Sequence, residues 1–174
     1  MDWITVAVEF IKEWEVPSYI IQYPNKASIS LYSYISCVDI IWQSINTLHK
    51  LIIDSTSEPF SERDDVWNNL HNLTDNNYFK RIRAVFGAHP IDVYPESSAV
   101  KKRYASWIND YRQFPEYDFS VFLYPDNQNA TISVFGFKLD QLNKFLDQRY
   151  SYLENIESEM AGSLSVWKNP PLHD

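Results

Sequence analysis

Apolar residues recur every three or four positions along much of the chain, which is the spacing of one buried face of an α-helix. The pattern predicts a first helix over residues 2–15 and a long helix over residues 28–53, both packed in a bundle. The opening letters of the long segment, SISLYS, also alternate as a strand does, so two interpretations of its start remain open.

A third helix is expected from after Asp75 to about Ala88. Its apolar residues cover about 100° of the helix surface, which predicts a face directed at the core. That face consists of Tyr78, Phe79, Ile82, Val85 and Phe86. Arg81 and Arg83 flank this face on opposite sides, and Lys80 points outward. Arg83 is therefore expected at the boundary with solvent, where it could pair with a buried carboxylate or reach into a cleft.

Capping signals predict two further helices. Ser61 is followed three residues later by Asp64, which resembles a capping box and predicts a short helix starting near Glu62. Ser97 or Ser98 can cap another helix that runs through AVKKRYASWINDY.

The hydrophobic period then changes from helical spacing to alternation. Two alternating runs around a cluster of turn residues predict a β-hairpin over residues 118–137, followed by a C-terminal helix over residues 138–160. The fold class is therefore mainly α: residues 1–174 form a single helical bundle with one β-hairpin inserted before the C-terminal helix. Because its period differs from that of its surroundings, we expect the hairpin to be peripheral to the bundle.

The amino-acid composition limits which classes of protein this chain can belong to. A chain of 174 residues, 45% of them apolar, is the size of one domain with a sizeable core. Its single cysteine, Cys37, excludes an intramolecular disulfide and a multi-cysteine zinc site. The N-terminal residues do not read as a signal peptide, and no apolar run is long enough to span a bilayer. We therefore expect a cytoplasmic protein that does not associate with a membrane.

The distribution of charge is more informative than its total. A net charge of −8 argues against an indiscriminate nucleic-acid binder. The window from Lys80 to Arg112 nevertheless holds seven basic and three acidic residues. Two interpretations stay open for this window, namely a pair of solvated helix faces or a local anion-binding surface on an acidic body.

Familiar catalytic and cofactor motifs are absent from the sequence. It contains no glycine-rich phosphate loop, no dinucleotide fingerprint and no HExxH, and it indicates no metal site or cofactor. His49 and His71 are more often structural than functional in such positions, and His173 lies in the tail. Cys37 lies on a packed helix, where a free cysteine usually behaves as a small apolar residue.

The segment RAVFGAH places five residues between Arg83 and His89, and Pro90 follows directly. This resembles the motif of HEPN domains, an arginine followed after four to six residues by a histidine. The resemblance covers residues 2–113 and implies an all-α bundle. It also implies a metal-independent ribonuclease without a cofactor, of the kind found in toxin–antitoxin and other defence systems.

Such domains typically form homodimers in which the motif arginine and histidine of both subunits face a shared cleft. The resemblance thus implies Arg83 and His89 as catalytic residues, RNA as the substrate, and an antitoxin or another protein as a further partner. The residues expected to bind RNA are Lys80, Arg81, Lys101, Lys102 and Arg103.

The chemistry is consistent with these residue types. Six residues along an ideal α-helix turn through about 240° net, so Arg83 and His89 cannot share a face of one straight helix. Convergence requires a helix break or partners from two subunits, and we expect Gly87 and Pro90 to end the helix and supply that break. A neutral imidazole can take the proton of a 2′-hydroxyl group. An arginine fork can stabilise the charge that develops on the phosphate oxygens.

Alternatives remain open. His89 could hydrogen-bond a carbonyl at a helix end, and Arg83 could pair with a carboxylate at the edge of the core. Active HEPN members often carry Asn, Asp or His after the motif arginine, where this chain has Ala84. The alternative function is therefore a non-catalytic helical module that binds a protein or a nucleotide, with a small-molecule-binding bundle as a third interpretation.

Overall fold

Five α-helices, one π-helical turn and three β-strands make up the described part of this computed structural model. The structure describes residues 2–16, 24–68, 72–88, 103–107, 114–125 and 131–168. In chain order the elements are α1 (Trp3–Glu13), α2 (Pro24–Ile52), α3 (Asp75–Arg83), the π turn (Ala84–Ala88), β1 (Arg103–Trp107), β2 (Phe119–Pro125), β3 (Ser133–Phe137), α4 (Leu139–Ser151) and α5 (Leu153–Lys168). The prediction of a mainly helical fold with a β-hairpin is confirmed. No helix in these ranges is both long and apolar enough to cross a membrane.

Helix α2 lies at the centre of the fold and packs against the other four α-helices and the π turn. It is helical throughout the SISLYS segment, so the strand interpretation of that segment is wrong. Its core-facing residues include Leu31, Ile35, Val38, Ile41, Trp42 and Ile45. A helix of 29 residues with such a face provides the scaffold on which α3 is placed.

The predicted third helix is α-helical as far as Arg83 and continues as the π turn to Ala88, and together these two elements present the apolar face that the sequence predicts. All five residues of that face are buried. The helix begins at Asp75, and the Thr74 side chain accepts a hydrogen bond from the Asn77 amide at 3.4 Å as its N-terminal cap. This burial fixes the rotation of α3 and therefore the direction in which its arginines project.

The short helix predicted near Glu62 is wrong, because the chain there forms turns. The buried Asp75 carboxylate accepts hydrogen bonds from the backbone amides of Val66 and Trp67, at 3.2 Å each. These amides are held by a side chain from α3 and not by the carbonyls of a local helix. The segment before α3 is thus shaped by a side chain eight or nine residues further along the chain.

The helix predicted through AVKKRYASWINDY is also wrong where the structure describes it. Its residues 103–107 form strand β1, which pairs antiparallel with β2 and places Tyr104 opposite Tyr124. Trp107 of this strand packs edge-on against Phe86, with ring centroids 5.2 Å apart. Pairing with β2 and packing on the core outweigh the local helical pattern. The rest of the predicted helix lies outside the described residues.

Strands β2 and β3 confirm the predicted hairpin, but its peripheral position is wrong. The sheet order is β1-β2-β3, so β2 is the central strand. The inner face of the hairpin belongs to the same core cluster as α2 and α3; its buried apolar members are Phe119, Val121, Leu123, Phe135 and Phe137. The Tyr78 hydroxyl of α3 donates a hydrogen bond of 2.7 Å to the Gly136 carbonyl of β3. The hairpin therefore completes the core.

The single C-terminal helix predicted over residues 138–160 is divided in two. The break falls at Tyr152, whose amide donates to the Arg149 carbonyl at 3.1 Å, the tighter bonding of a 3₁₀ turn. No glycine or proline marks this position. Instead the Tyr152 hydroxyl is hydrogen-bonded to Nδ1 of His49 on α2, and this contact ties the break to the core.

Candidate functional site

Arg83 is the last residue of α3 and lies at the edge of the core. Its Nε atom is 3.1 Å from Oδ2 of Asp39 on α2. The Arg83 side chain is 43% exposed and that of Asp39 is 18% exposed. Arg83 thus lies at the boundary with solvent, as its place beside the apolar face predicts, and it pairs with a carboxylate at the core edge.

The contact with Asp39 uses only one side of the guanidinium group. Within the ranges that the structure describes, the two terminal nitrogens of Arg83 have no hydrogen-bonding partner. A guanidinium held through Nε keeps a planar pair of donors for a second, bidentate anion such as a phosphate. Asp39 therefore orients the arginine through Nε, and no described residue engages its terminal donors.

A cleft of about 200 Å³ opens beside this ion pair, between α2 and the π turn. It is lined by Tyr32, Ile35, Ser36, Asp39, Ile40, Arg83 and Gly87. The cleft combines an aliphatic floor, one aromatic ring, one hydroxyl group and one ion pair. It is smaller than the pockets that enclose drug-sized ligands, which suits a single charged group better than a whole enclosed molecule.

Gly87 does not end the helix, contrary to the sequence interpretation. It lies inside the π turn, where its backbone has no positive φ angle. Its lack of a side chain serves close packing, because a Cβ atom at this position would lie 2.8 Å from Cδ2 and Cε2 of Tyr32. Only a residue without a side chain lets the Tyr32 ring occupy this place unshifted.

The π turn also changes the angular argument for the motif. The separation of about 240° between Arg83 and His89 assumes ideal α-helical rotation at every step. A turn with i→i+5 hydrogen bonds rotates less per residue, so that value does not hold across Ala84–Ala88. His89 and Pro90 follow the π turn directly and lie outside the described residues.

The other basic candidates do not converge on Arg83. Lys80 reaches Glu58 at 3.4 Å, and the Arg81 guanidinium lies over the ring of Phe135, 4.9 Å from its centroid. Arg103 donates a hydrogen bond of 2.7 Å to the Ser133 hydroxyl across the sheet. Arg81 and Arg83 do face opposite neighbours, β3 and α2, as predicted. Lys101 and Lys102 lie outside the described residues.

His49 is buried, and both of its ring nitrogens are engaged. Nδ1 lies 2.9 Å from the Tyr152 hydroxyl, and Nε2 lies 2.8 Å from the Ser57 hydroxyl. The imidazole connects α2, the following turn and the break before α5, which agrees with the structural interpretation from the sequence. His71 and His173 lie outside the described residues. Burial raises the pKa of the Cys37 thiol, which weakens it as a nucleophile.

Arg149 is a buried residue that sequence reasoning missed. Its Nη2 donates to Oδ1 of Asn76 at 2.8 Å, and its guanidinium lies 3.8 Å from the centroid of the Phe145 ring. Desolvation by burial lowers its pKa to about 10, opposed by the negative charge of Asp75. A signal was present, because Arg149 lies three or four residues beyond Phe145 and Leu146 on the core-facing side of the C-terminal helix.

Metal ligands are not clustered in the described part of the chain, where no three His, Cys, Asp or Glu side chains come together in a group that could hold an ion. Comparisons of the chain with protein-family models, with curated proteins and with solved structures gave no match. The resemblance to HEPN domains therefore rests on the arginine–histidine spacing and on the mainly helical fold. Strand β1 lies within residues 2–113 and departs from the all-α bundle that the resemblance implies.

Proposed function

We propose that the protein is a HEPN-type, metal-independent endoribonuclease of a toxin or defence system, with Arg83 and His89 as its catalytic residues. The observation that carries the proposal is the Arg83 side chain. Asp39 holds its Nε atom, its terminal nitrogens have no partner in the described ranges, and it lines a cleft of about 200 Å³. An oriented arginine fork beside a cleft is suited to binding a phosphate diester.

The proposed reaction uses the 2′-hydroxyl of the RNA as its nucleophile. The imidazole of His89 takes the 2′-hydroxyl proton, and the oxygen attacks the adjacent phosphorus. Arg83 stabilises the negative charge that builds on the non-bridging oxygens. The bond to the 5′-oxygen breaks and that oxygen gains a proton, which leaves a 2′,3′-cyclic phosphate on one product and a 5′-hydroxyl on the other.

The π turn lends further support. Single π turns within helices occur frequently at functional sites, and this one begins at the residue after Arg83. It also supplies Gly87 to the wall of the cleft. In the proposal, the wider turn sets the direction in which the chain leaves the helix toward His89.

The remaining partners follow from the same proposal. Two copies of the chain would face each other across the cleft, so that the catalytic groups of both subunits act on one RNA strand. Lys80, Arg81, Lys101, Lys102 and Arg103 would add positive potential around the RNA backbone, and an antitoxin or another protein would restrain the activity. Because Lys80, Arg81 and Arg103 contact other residues and do not line the cleft, we expect them to contribute less to RNA binding than Arg83 does.

The experiment that tests the proposal is an RNA-cleavage assay with product analysis in EDTA. We expect single-stranded RNA to be cut into products with 2′,3′-cyclic phosphate ends, while the same sequence with 2′-deoxyribose resists. Cleavage that stops in EDTA, or that proceeds equally on deoxyribose, would overturn the mechanism.

A second candidate function is a non-catalytic helical module that binds nucleic acid or protein. The ion pair between Arg83 and Asp39 favours it, because the arginine already has a structural partner. Ala84 favours it too, since active HEPN members often have a polar residue after the arginine. This module would bind RNA and its 2′-deoxy counterpart alike and cleave neither.

A further inference from the structure

Tyr32 on α2 is a solvent-exposed aromatic residue at the candidate site. Its side chain lines the same cleft as Arg83, yet the residue is 43% exposed. A large aromatic ring with that much exposure gains little from burial. What sets Tyr32 apart from other exposed aromatic residues is that its ring lines the same cleft as Arg83, so that one ligand could contact both.

The placement of the ring is specified by its neighbours. Its Cδ2 and Cε2 edge lies against Gly87, where even a methyl group would come within 2.8 Å. This close approach brings one edge of the ring against the π turn at the wall of the cleft.

The charges of the cleft limit what can bind there. Arg83 can take one anionic group through its terminal nitrogens, and Asp39 repels a second one. The volume of about 200 Å³ accommodates a phosphate but not an enclosed nucleotide. A planar group attached to that phosphate would therefore lie at the solvent-exposed edge of the cleft, where Tyr32 is.

We propose that Tyr32 is the base-stacking residue of this site. The phosphate of a single-stranded RNA binds the terminal nitrogens of Arg83, and an adjacent base stacks on the Tyr32 ring. The inference rests on the proposed function and adds the substrate class to it: unpaired RNA, bound with little sequence preference because every base has a face that can stack.

The test is the affinity for a short, fluorescently labelled 2′-O-methyl oligonucleotide, measured by fluorescence anisotropy. This probe keeps the bases and phosphates but lacks the 2′-hydroxyl, so it cannot be cleaved by the proposed reaction. We expect Tyr32→Leu to weaken binding by roughly 5- to 150-fold, the range expected for loss of one base–aromatic stack. Tyr32→Phe keeps the ring and should bind within about twofold of the wild type.

Tyr150 on α4 provides a matched control, because it is 44% exposed and does not line the cleft. Tyr150→Leu should leave the affinity unchanged. Arg83→Gln should weaken binding and reduce the dependence of log affinity on log salt by about one, whereas Tyr32→Leu should leave that slope unchanged. Circular dichroism and thermal melting check that each variant is folded.

The outcomes separate this inference from the proposed function. If Tyr32→Leu binds the probe as tightly as the wild type, or Tyr150→Leu weakens it equally, the stacking role of Tyr32 is wrong, whether or not RNA is cleaved. If Tyr32→Leu weakens binding while the wild type cleaves no RNA, stacking stands and the protein is a nucleic-acid-binding module.

Discussion

Nε of Arg83 lies 3.1 Å from Oδ2 of Asp39, and the two residues belong to different helices. The pair joins the end of α3 to the middle of α2, so the position of the arginine depends on how those helices pack. Burial of the apolar face of α3 sets that packing. Arg83 is therefore positioned by the core and not by a loop, and side chains on regular elements are positioned more precisely than those on loops.

The proposed site predicts a homodimer. If the motif residues of two subunits face one cleft, the interface must include the surface around residues 83–89. Sedimentation at micromolar concentration should report twice the mass of the monomer. A monomer at every concentration tested would remove the model of a site composed by two subunits.

The hairpin should be essential for stability, because its inner face is part of the core. Phe135 and Phe137 are fully buried, so replacing either by alanine should cost about 3–5 kcal/mol of unfolding free energy. Tyr124→Ala on the exposed face of β2 is the control and should cost much less. Urea denaturation measures these differences. A variant whose hairpin is replaced by a short linker should lose cooperative unfolding; a sharp transition in that variant would show that the core does not need the hairpin.

Arg149 should be among the residues most sensitive to truncation. Arg149→Ala removes the hydrogen bond to Asn76, empties a space among aromatic rings and removes the electrostatic interaction of Arg149 with Asp75. We expect a loss of about 3–5 kcal/mol in urea denaturation at neutral pH. Arg149→Met fills more of the space and should cost less than alanine does.

Arg63 supplies the control for this series, since its side chain is 55% exposed. Arg63→Ala should change the unfolding free energy by no more than about 0.5 kcal/mol. Equal effects of the alanine substitutions at Arg63 and Arg149 would show that the buried contacts of Arg149 contribute nothing.

Tyr34 should make the stability of the fold sensitive to alkaline pH. Burial, reinforced by the negative charge of Asp147, raises the pKa of its hydroxyl from 10.0 to about 12. A phenol whose folded-state pKa is raised contributes stability that is complete below the unfolded-state pKa and is lost as pH rises through the folded-state pKa. The stability advantage of the wild type over Tyr34→Phe should therefore shrink between pH 10 and about pH 12. A difference between the wild type and Tyr34→Phe that stays constant over this pH range would contradict the assignment to Tyr34.

Local periodicity was sufficient to predict the helices that pack by one continuous face. The apolar face of α3 and the π turn can be predicted because its five members cover a narrow arc of the helix surface, and all five are buried. The position of Arg83 beside that face follows from the same geometry. The identity of its partner does not, because Asp39 lies 44 residues earlier in the chain and nothing local links the two.

Elements that depend on contacts with other elements could not be predicted from the local pattern of apolar residues. Strand β1 exists because it pairs with β2, and the turns before α3 are held by the carboxylate of Asp75. Gly87 was interpreted as a helix end because glycine commonly ends helices. In the structure it serves close packing against Tyr32, a contact between α2 and the π turn that one-dimensional spacing does not contain.

The proposal is that Arg83 and His89 carry out RNA cleavage. The most direct measurement is the cleavage rate of single-stranded RNA in EDTA by the wild type, Arg83→Gln, His89→Ala and the surface control Arg63→Gln, each shown to be folded by circular dichroism. The proposal predicts that Arg63→Gln cleaves RNA at the same rate as the wild type. The substitutions at Arg83 and His89 should each lower the rate by about 10²–10⁴-fold, through loss of charge stabilisation and of the general base. A folded Arg83→Gln or His89→Ala protein that cleaves RNA as fast as the wild type would contradict it.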